Sequence, residues 1–213
     1  EIPPVVSDEA PDFVKKITAK MIEGKGDEIS VSMMPDDGRW PTATSQWEKR
    51  NIAVQVSQWE PEACIQCGRC SLVCPHAAIR MKIYDPADLK KAGAGKTFKS
   101  SEAIGKEFTG KKFTIQVATE DCCGCTLCVT VCPGRVKGAD GKKTEARALS
   151  MVMNTEELRV QEAANWKTFL ALPEVDQKLI NVGTIKGSQL CRPLFEFSGA
   201  CAGCGETPYI KLV

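Results

Sequence analysis

The sequence predicts an α+β fold, and three observations carry that prediction. A four-cysteine pattern occurs twice, as C-I-Q-C-G-R-C-S-L-V-C-P from Cys64 to Pro75 and as C-C-G-C-T-L-C-V-T-V-C-P from Cys122 to Pro133. A short alternating stretch runs into each pattern through an acidic turn. Apolar residues recur at helical spacing towards both ends of the chain. Both cysteine runs have the form C-x2-C-x2-C-x3-C-P, the spacing with which two-cluster bacterial ferredoxins hold a pair of four-iron cubes. The predicted centre of the fold is therefore a two-[4Fe-4S] bacterial ferredoxin-like domain. A long insertion interrupts it, and helical and irregular segments flank it.

Composition narrows the function classes. The chain has 213 residues, 26% of them charged, with a net charge of +1. That balance argues for no nucleic-acid or membrane partner. No run of eighteen apolar residues exists to span a bilayer, and no secretion signal opens the sequence. Twelve cysteines without such a signal favour thiolate ligation in a cytoplasmic setting over disulfides. Zinc sites pair two C-x2-C hooks at a distance and have no use for the third and fourth cysteines of each run. The chain begins at Glu1 and stops at Val213, in what reads as the first turns of a helix. A fragment of a longer polypeptide is expected.

Three regions follow in order. Residues 1–51 form an N-terminal helix and an irregular crossing segment. The helix has Phe13, Val14, Ile17, Met21 and Ile22 on one face, a cap at Asp8 or Asp12, and its end at Gly24. Pro35-Asp36-Asp37-Gly38 is a turn, and Trp40 and Trp47 read as packing anchors. Residues 52–153 form the ferredoxin-like domain. Ile52, Val54 and Val56 alternate in a first strand, and Phe113, Ile115 and Val117 repeat the pattern before the second cysteine run. The insert covers about 80–112 and carries seven lysines between Lys90 and Lys112, which suggests a surface excursion. Residues 148–153 read as a last strand. Residues 154–213 are linker helices, opened by a capping box at Asn154 and Glu157 and closed by a C-x2-C half-site.

A four-iron cube takes one thiolate per iron. The C-x2-C-x2-C loop wraps one cube, and the fourth cysteine is expected to start a helix facing the other way, towards the neighbouring cube. Cluster one is thus assigned to Cys64, Cys67, Cys70 and Cys132, and cluster two to Cys122, Cys125, Cys128 and Cys74. Gly68 and Gly124 let the backbone come close to the cube. Cys123 reads as a non-ligand, Cys191 as a packed thiol and His76 as a structural histidine beside a cluster. Cys201 and Cys204 supply two ligands only. By themselves they could form a redox dithiol, a zinc hook or half of a third [4Fe-4S] site, and the earlier runs favour the last, completed from beyond Val213. The basic stretches Lys90–Lys112 and Arg135–Arg147 read as solvated loops. A sharper reading makes them a docking surface for an acidic carrier, with a salt-dependent electron-transfer rate.

Several blocks resemble one family. Pro35-Asp-Asp-Gly, Glu48-Lys-Arg-Asn-Ile-Ala, Cys64-Ile-Gln-Cys-Gly-Arg-Cys, Cys74-Pro-His-Ala-Ala-Ile-Arg, Asn165-Trp and Pro193-Leu-Phe-Glu-Phe-Ser-Gly-Ala-Cys-Ala-Gly-Cys-Gly-Glu-Thr-Pro-Tyr are similar to pyruvate:ferredoxin (flavodoxin) oxidoreductase. The resemblance implies decarboxylation of pyruvate, acetyl transfer to coenzyme A, and single electrons leaving along three clusters to ferredoxin or flavodoxin. It also implies that Cys201 to Pro208 opens a thiamine-diphosphate domain, where the two cysteines help hold the cluster nearest the thiamine. Thiamine diphosphate, magnesium, the substrate pocket and the remainder of the oxidoreductase, a homodimer, would lie outside this chain. No catalytic residue is expected within it. Rival readings are an oxidoreductase for another 2-oxoacid, a stand-alone electron-transfer subunit and a zinc-binding interaction module.

Overall fold

The computed structural model describes residues 4–49, 51–194 and 206–213. At the N-terminus a π-type turn, Val14–Thr18, runs straight into helix α1, Ala19–Ile22. Val14 and Ala19 pack with Val6, Ala10 and Trp47. The apolar face is narrower than expected, because Met21 and Ile22 are exposed. The wider π-type turn shifts the phase of every later residue, so the 3.6-residue pattern no longer points inward. Asp12 bonds Lys16 one turn on (2.9 Å) instead of capping the helix. Gly24, at φ +72°, ends it as expected. The Pro35 turn closes through the Gly38 N–H and the Pro35 carbonyl (3.1 Å), and Trp40 meets Phe13 edge-on.

Among the described residues the body of the molecule is built from seven strands. They are β1 (Gln55–Trp59), β2 (Ile79–Tyr84), β3 (Ser101–Glu102), β4 (Lys112–Val117), β5 (Arg135–Lys137), β6 (Lys143–Arg147) and β7 (Leu149–Met153). Short helices lie between them: α2 (Arg69–Val73), α3 (Pro86–Lys91) and α4 (Leu127–Thr130). Then come α5 (Glu156–Ala171), α6 (Ile185–Leu190) and α7 (Glu206–Leu212). All strand pairs are antiparallel: β1 with β7, β4 between β2 and β3, and β5 with β6.

The first strand starts later than its alternation indicates. Val56 is buried, while Ile52 and Val54 are exposed. Asn154 explains the difference. Its backbone N–H and side-chain amide donate to the carbonyls of Val54 and Ala53 (3.0 and 2.9 Å), closing the sheet before Ile52 is reached. Asn154 is therefore not the helix cap. Thr155 takes that place, its hydroxyl accepting the Leu158 N–H.

All six residues of β2 are buried, so the chain leaves the sheet at Asp85 and not near residue 80. Ile79, Met81 and Ile83 pack with Phe113, Ile115, Val117 and Trp59 in the main core. The opposite face of β2 carries Arg80 and Lys82, and α5 covers it with stacked Trp166 and Phe169. Each cation lies over an aromatic ring, a contact worth up to about 2 kcal/mol when water is excluded. The excursion between β2 and β4 is anchored too. Phe98 and Phe108 are buried, and β3 pairs with β4.

Candidate metal centres

The strand pairing crosses between the two halves. β1 precedes the first cysteine loop and pairs with β7, which follows the second. β4 precedes the second loop and pairs with β2, which follows the first. Trp59 thus lies opposite Leu149, and the Ala148 N–H donates to the Gly134 carbonyl (3.2 Å), which brings the Cys132-Pro133 turn beside Cys64. At the other end the Ala118 N–H donates to the Ala78 carbonyl (2.7 Å) and the Cys122 N–H to the Ala118 carbonyl (3.0 Å). That brings Cys122 beside the segment after Cys74.

The two loops share one backbone path. Counted from the first cysteine, the third and fifth residues are left-handed in both: Gln66 (φ +55°) and Gly68 (+78°) in one, Gly124 (+70°) and Thr126 (+65°) in the other. In each loop the third residue's N–H points back at the first sulfur, Gln66 to Cys64 (3.3 Å) and Gly124 to Cys122 (3.4 Å). The two glycines border the cavities, and they also pack closely against neighbouring backbone. A Cβ on Gly124 would meet the Gln55 carbonyl at 3.0 Å, and one on Gly68 would meet the Ile185 carbonyl and the Lys186 backbone at 3.3 Å. They permit a left-handed turn packed against neighbouring backbone. The fourth cysteines differ from expectation. Cys74 ends α2, and Cys132 follows α4; neither starts a helix.

Two cavities result. Cys64, Cys67, Cys70 and Cys132 line the first, about 320 Å³ including its open part, with Trp59, Ile115 and Leu149. Cys74, Cys122, Cys125 and Cys128 line the second, about 400 Å³, with Ser57, His76 and Val117. Cys123 borders the second cavity as well. The Cys123 thiol donates to Cys125, which holds Cys125 down at about 6 and raises its own pKa. Burial pushes Cys122 up to about 12 and lifts Cys64, Cys70 and Cys128. The Gln66 N–H and then the Trp59 indole oppose the rise at Cys64, and the Ser57 hydroxyl opposes it at Cys128. Burial thus favours the protonated form at Cys64, Cys70, Cys122 and Cys128, and a bound cation would displace those protons.

The donor set fits a polynuclear iron–sulfur group. Cysteine side chains border each cavity, the donors such a group takes. The indole N–H of Trp59 reinforces the fit: it is buried and has no acceptor, and a thiolate- and sulfide-bearing guest would provide one. The ten described cysteines are all free thiols. His76 is buried at the second cavity. Cys191 is half-buried, its thiol directed at the Gly187 carbonyl. Cys201 and Cys204 lie outside the described residues.

Gln66 escapes a sequence reading. Its side chain is buried, accepting the Ile104 N–H (2.8 Å) and donating to the Glu102 carbonyl (2.7 Å). Lys186 holds the other side of Ile104 through its carbonyl (2.5 Å). The excursion is thereby stitched over the first cysteine loop. The signal was available: Gln66 occupies the place that Gly124 takes in the second copy. Part of each basic stretch is engaged within the molecule. Lys91 pairs with Asp88, Lys111 with Asp85 and Lys112 with Glu102, while Lys99 donates to the Trp59 carbonyl. Arg135 and Arg147 both donate to the Cys132 carbonyl.

Crossed strands and paired four-cysteine cavities define a ferredoxin-like protein, and a model described as a 4Fe-4S dicluster domain matches residues 63–136. Residues 1–53 match a domain of unknown function. Pyruvate:ferredoxin oxidoreductase from Moorella thermoacetica is 52% identical over 205 residues, 96% of this chain and 16% of that protein. Pyruvate-flavodoxin oxidoreductase from Nostoc sp. is 49% identical over 207 residues, 97% of this chain and 17% of that protein. The chain belongs to the pyruvate-flavodoxin/ferredoxin oxidoreductase family, and it spans about 17% of the length of these relatives. Among the described residues no helix is long and apolar enough to cross a membrane.

Proposed function

We propose that the chain is the electron-conducting part of a pyruvate:ferredoxin/flavodoxin oxidoreductase, and that it passes single electrons from a thiamine-bound intermediate to an external carrier. The observation that carries the reading is the pair of cavities: Cys64, Cys67 and Cys70 of one loop border the first with Cys132 of the other, and Cys122, Cys125 and Cys128, with their neighbour Cys123, border the second with Cys74. In it, Cys64, Cys67, Cys70 and Cys132 hold cluster one, and Cys122, Cys125, Cys128 and Cys74 hold cluster two. Cys201 and Cys204 give half of a third site. When bound, a four-iron cluster takes up and releases one electron. The chain's own residues hold and tune it. Eight thiolates fix the two cubes, loop N–H groups face the sulfurs, and the core residues Ile115 and Val117 line the cavities. Because each loop lends a ligand to the other's cube, the centres stay adjacent, as single-electron hopping requires.

The complete enzyme would also hold thiamine diphosphate and magnesium, turn pyruvate and coenzyme A into acetyl-CoA and carbon dioxide, and work as a cytoplasmic homodimer. Ferredoxin or flavodoxin would accept the electrons. About eight irons and eight acid-labile sulfides, with a reducible low-temperature EPR signal, are expected from two four-iron centres. A colourless chain containing zinc would refute the reading.

A further inference from the structure

Strand β1 runs beside both cavities. Ser57 and Trp59 are two residues apart on it and so share one face of the pleat. Ser57 borders the second cavity and Trp59 the first. Both are buried, with 5% and 4% of their surface exposed. An indole N–H can only donate, and a buried donor with no acceptor is costly. The Trp59 N–H has none, and its side chain borders the first cavity together with Cys64. Ser57 borders the second cavity together with Cys128. The strand therefore offers one uncharged donor to a sulfur at each cavity.

We infer that β1 tunes the two iron–sulfur centres separately: the Trp59 N–H donates to the sulfurs on the Cys64 side of cluster one, and the Ser57 hydroxyl donates to the Cys128 sulfur of cluster two. This rests on the four-iron reading above. The sign follows from charge. Reduction adds negative charge to the sulfurs, and a donor aimed at them stabilises the reduced form more than the oxidised one. Each donor raises the potential of its own centre. Neither reaches the other cavity, so the two effects are separable.

The test is an EPR-monitored potentiometric titration of the complete oxidoreductase, with iron and sulfide determined on each sample. Trp59→Phe removes the N–H and keeps a ring. Ser57→Ala removes the hydroxyl. Trp59→Phe should make one couple more negative by about tenfold in its one-electron equilibrium, which is about 59 mV. Ser57→Ala should shift the other couple in the same direction, and Ser57→Thr should leave it in place. Wild-type protein carrying heavy-nitrogen tryptophan needs no substitution. One reduced centre should show a nitrogen coupling to a single indole, by pulsed EPR. Intact iron with unmoved couples, or both variants moving the same couple, overturns the inference. Absence of four-iron centres from the wild type overturns the underlying reading, and the inference with it; the iron determination tells the two failures apart.

Discussion

Gln66 offers a sharp test of how the first loop is held. Gln66→Ala deletes two well-formed hydrogen bonds, to the Ile104 N–H and the Glu102 carbonyl. At about 1 kcal/mol each, the excursion should loosen from the loop by about 2 kcal/mol, roughly 30-fold in the local opening equilibrium. The Ile104 amide reports this directly, since its acceptor is the side chain removed. Its hydrogen-exchange protection should fall by about that factor. Gln66→Gly loses the same bonds but suits the left-handed backbone at φ +55°, so it should recover about 1 kcal/mol relative to alanine. The order expected in denaturant, followed as bleaching of the cluster absorbance, is wild type, then glycine, then alanine. Unchanged Ile104 protection, or alanine more stable than glycine, would refute the argument.

Other predictions follow the same geometry. Cys132→Ala should remove the EPR component that Cys67→Ala removes and spare the one that Cys125→Ala removes; the opposite pairing would disprove crossed ligation. Gly134→Ala puts a Cβ 2.5 Å from the Ala63 carbonyl and 2.8 Å from the Ala148 Cβ, an overpacking worth about 1–3 kcal/mol beside Cys64. It should lower iron content well below that of Gly26→Ala, whose Cβ meets nothing within 4 Å and whose backbone is not left-handed, and equal iron in the two would contradict it. Burial lowers the Lys82 pKa, with Glu174 pulling the other way. From that lowered value up to about 10.4, the unfolded chain keeps a proton that the folded chain has released, so stability rises with pH there. Lys82→Met should remove this rise in thermal bleaching midpoints taken from neutral to alkaline pH; parallel profiles would count against it.

What could be read in advance was whatever repeats at short range. The cysteine spacing marked both loops, and alternation marked the strands before them. Period alone could not place the start of β1, because Asn154, a hundred residues away, decides where pairing stops. It also missed the basic face of β2. Arg80 and Lys82 look exposed in sequence and become buried only because Trp166 and Phe169 lie over them. The lysine-rich excursion looked solvated for a similar reason. Lys111, for one, finds its carboxylate partner at Asp85, which no local pattern announces. The crossed pairing of halves was legible only through the ferredoxin spacing, since no local signal says which strand β1 will meet.

The two loops, alike in backbone, sit in unlike surroundings, and this difference bears on their proposed work. Around the first, Gln66 and Cys70 are buried, with α6 and residues 101–104 packed over them. In the second, Cys125, Thr126 and Leu127 are exposed. Burial penalises the extra negative charge of a reduced centre, so a buried cube with the same ligands would be the poorer electron acceptor. The first cavity carries the features that oppose this. Lys186 lies near enough to Cys64 for their charges to interact, Arg135 and Arg147 converge on the Cys132 carbonyl, and Trp59 brings its N–H. Identical ligand sets therefore do not fix the order of the two potentials. The balance of burial against these cations and donors does, and Trp59→Phe removes one weight from that balance while every ligand stays in place.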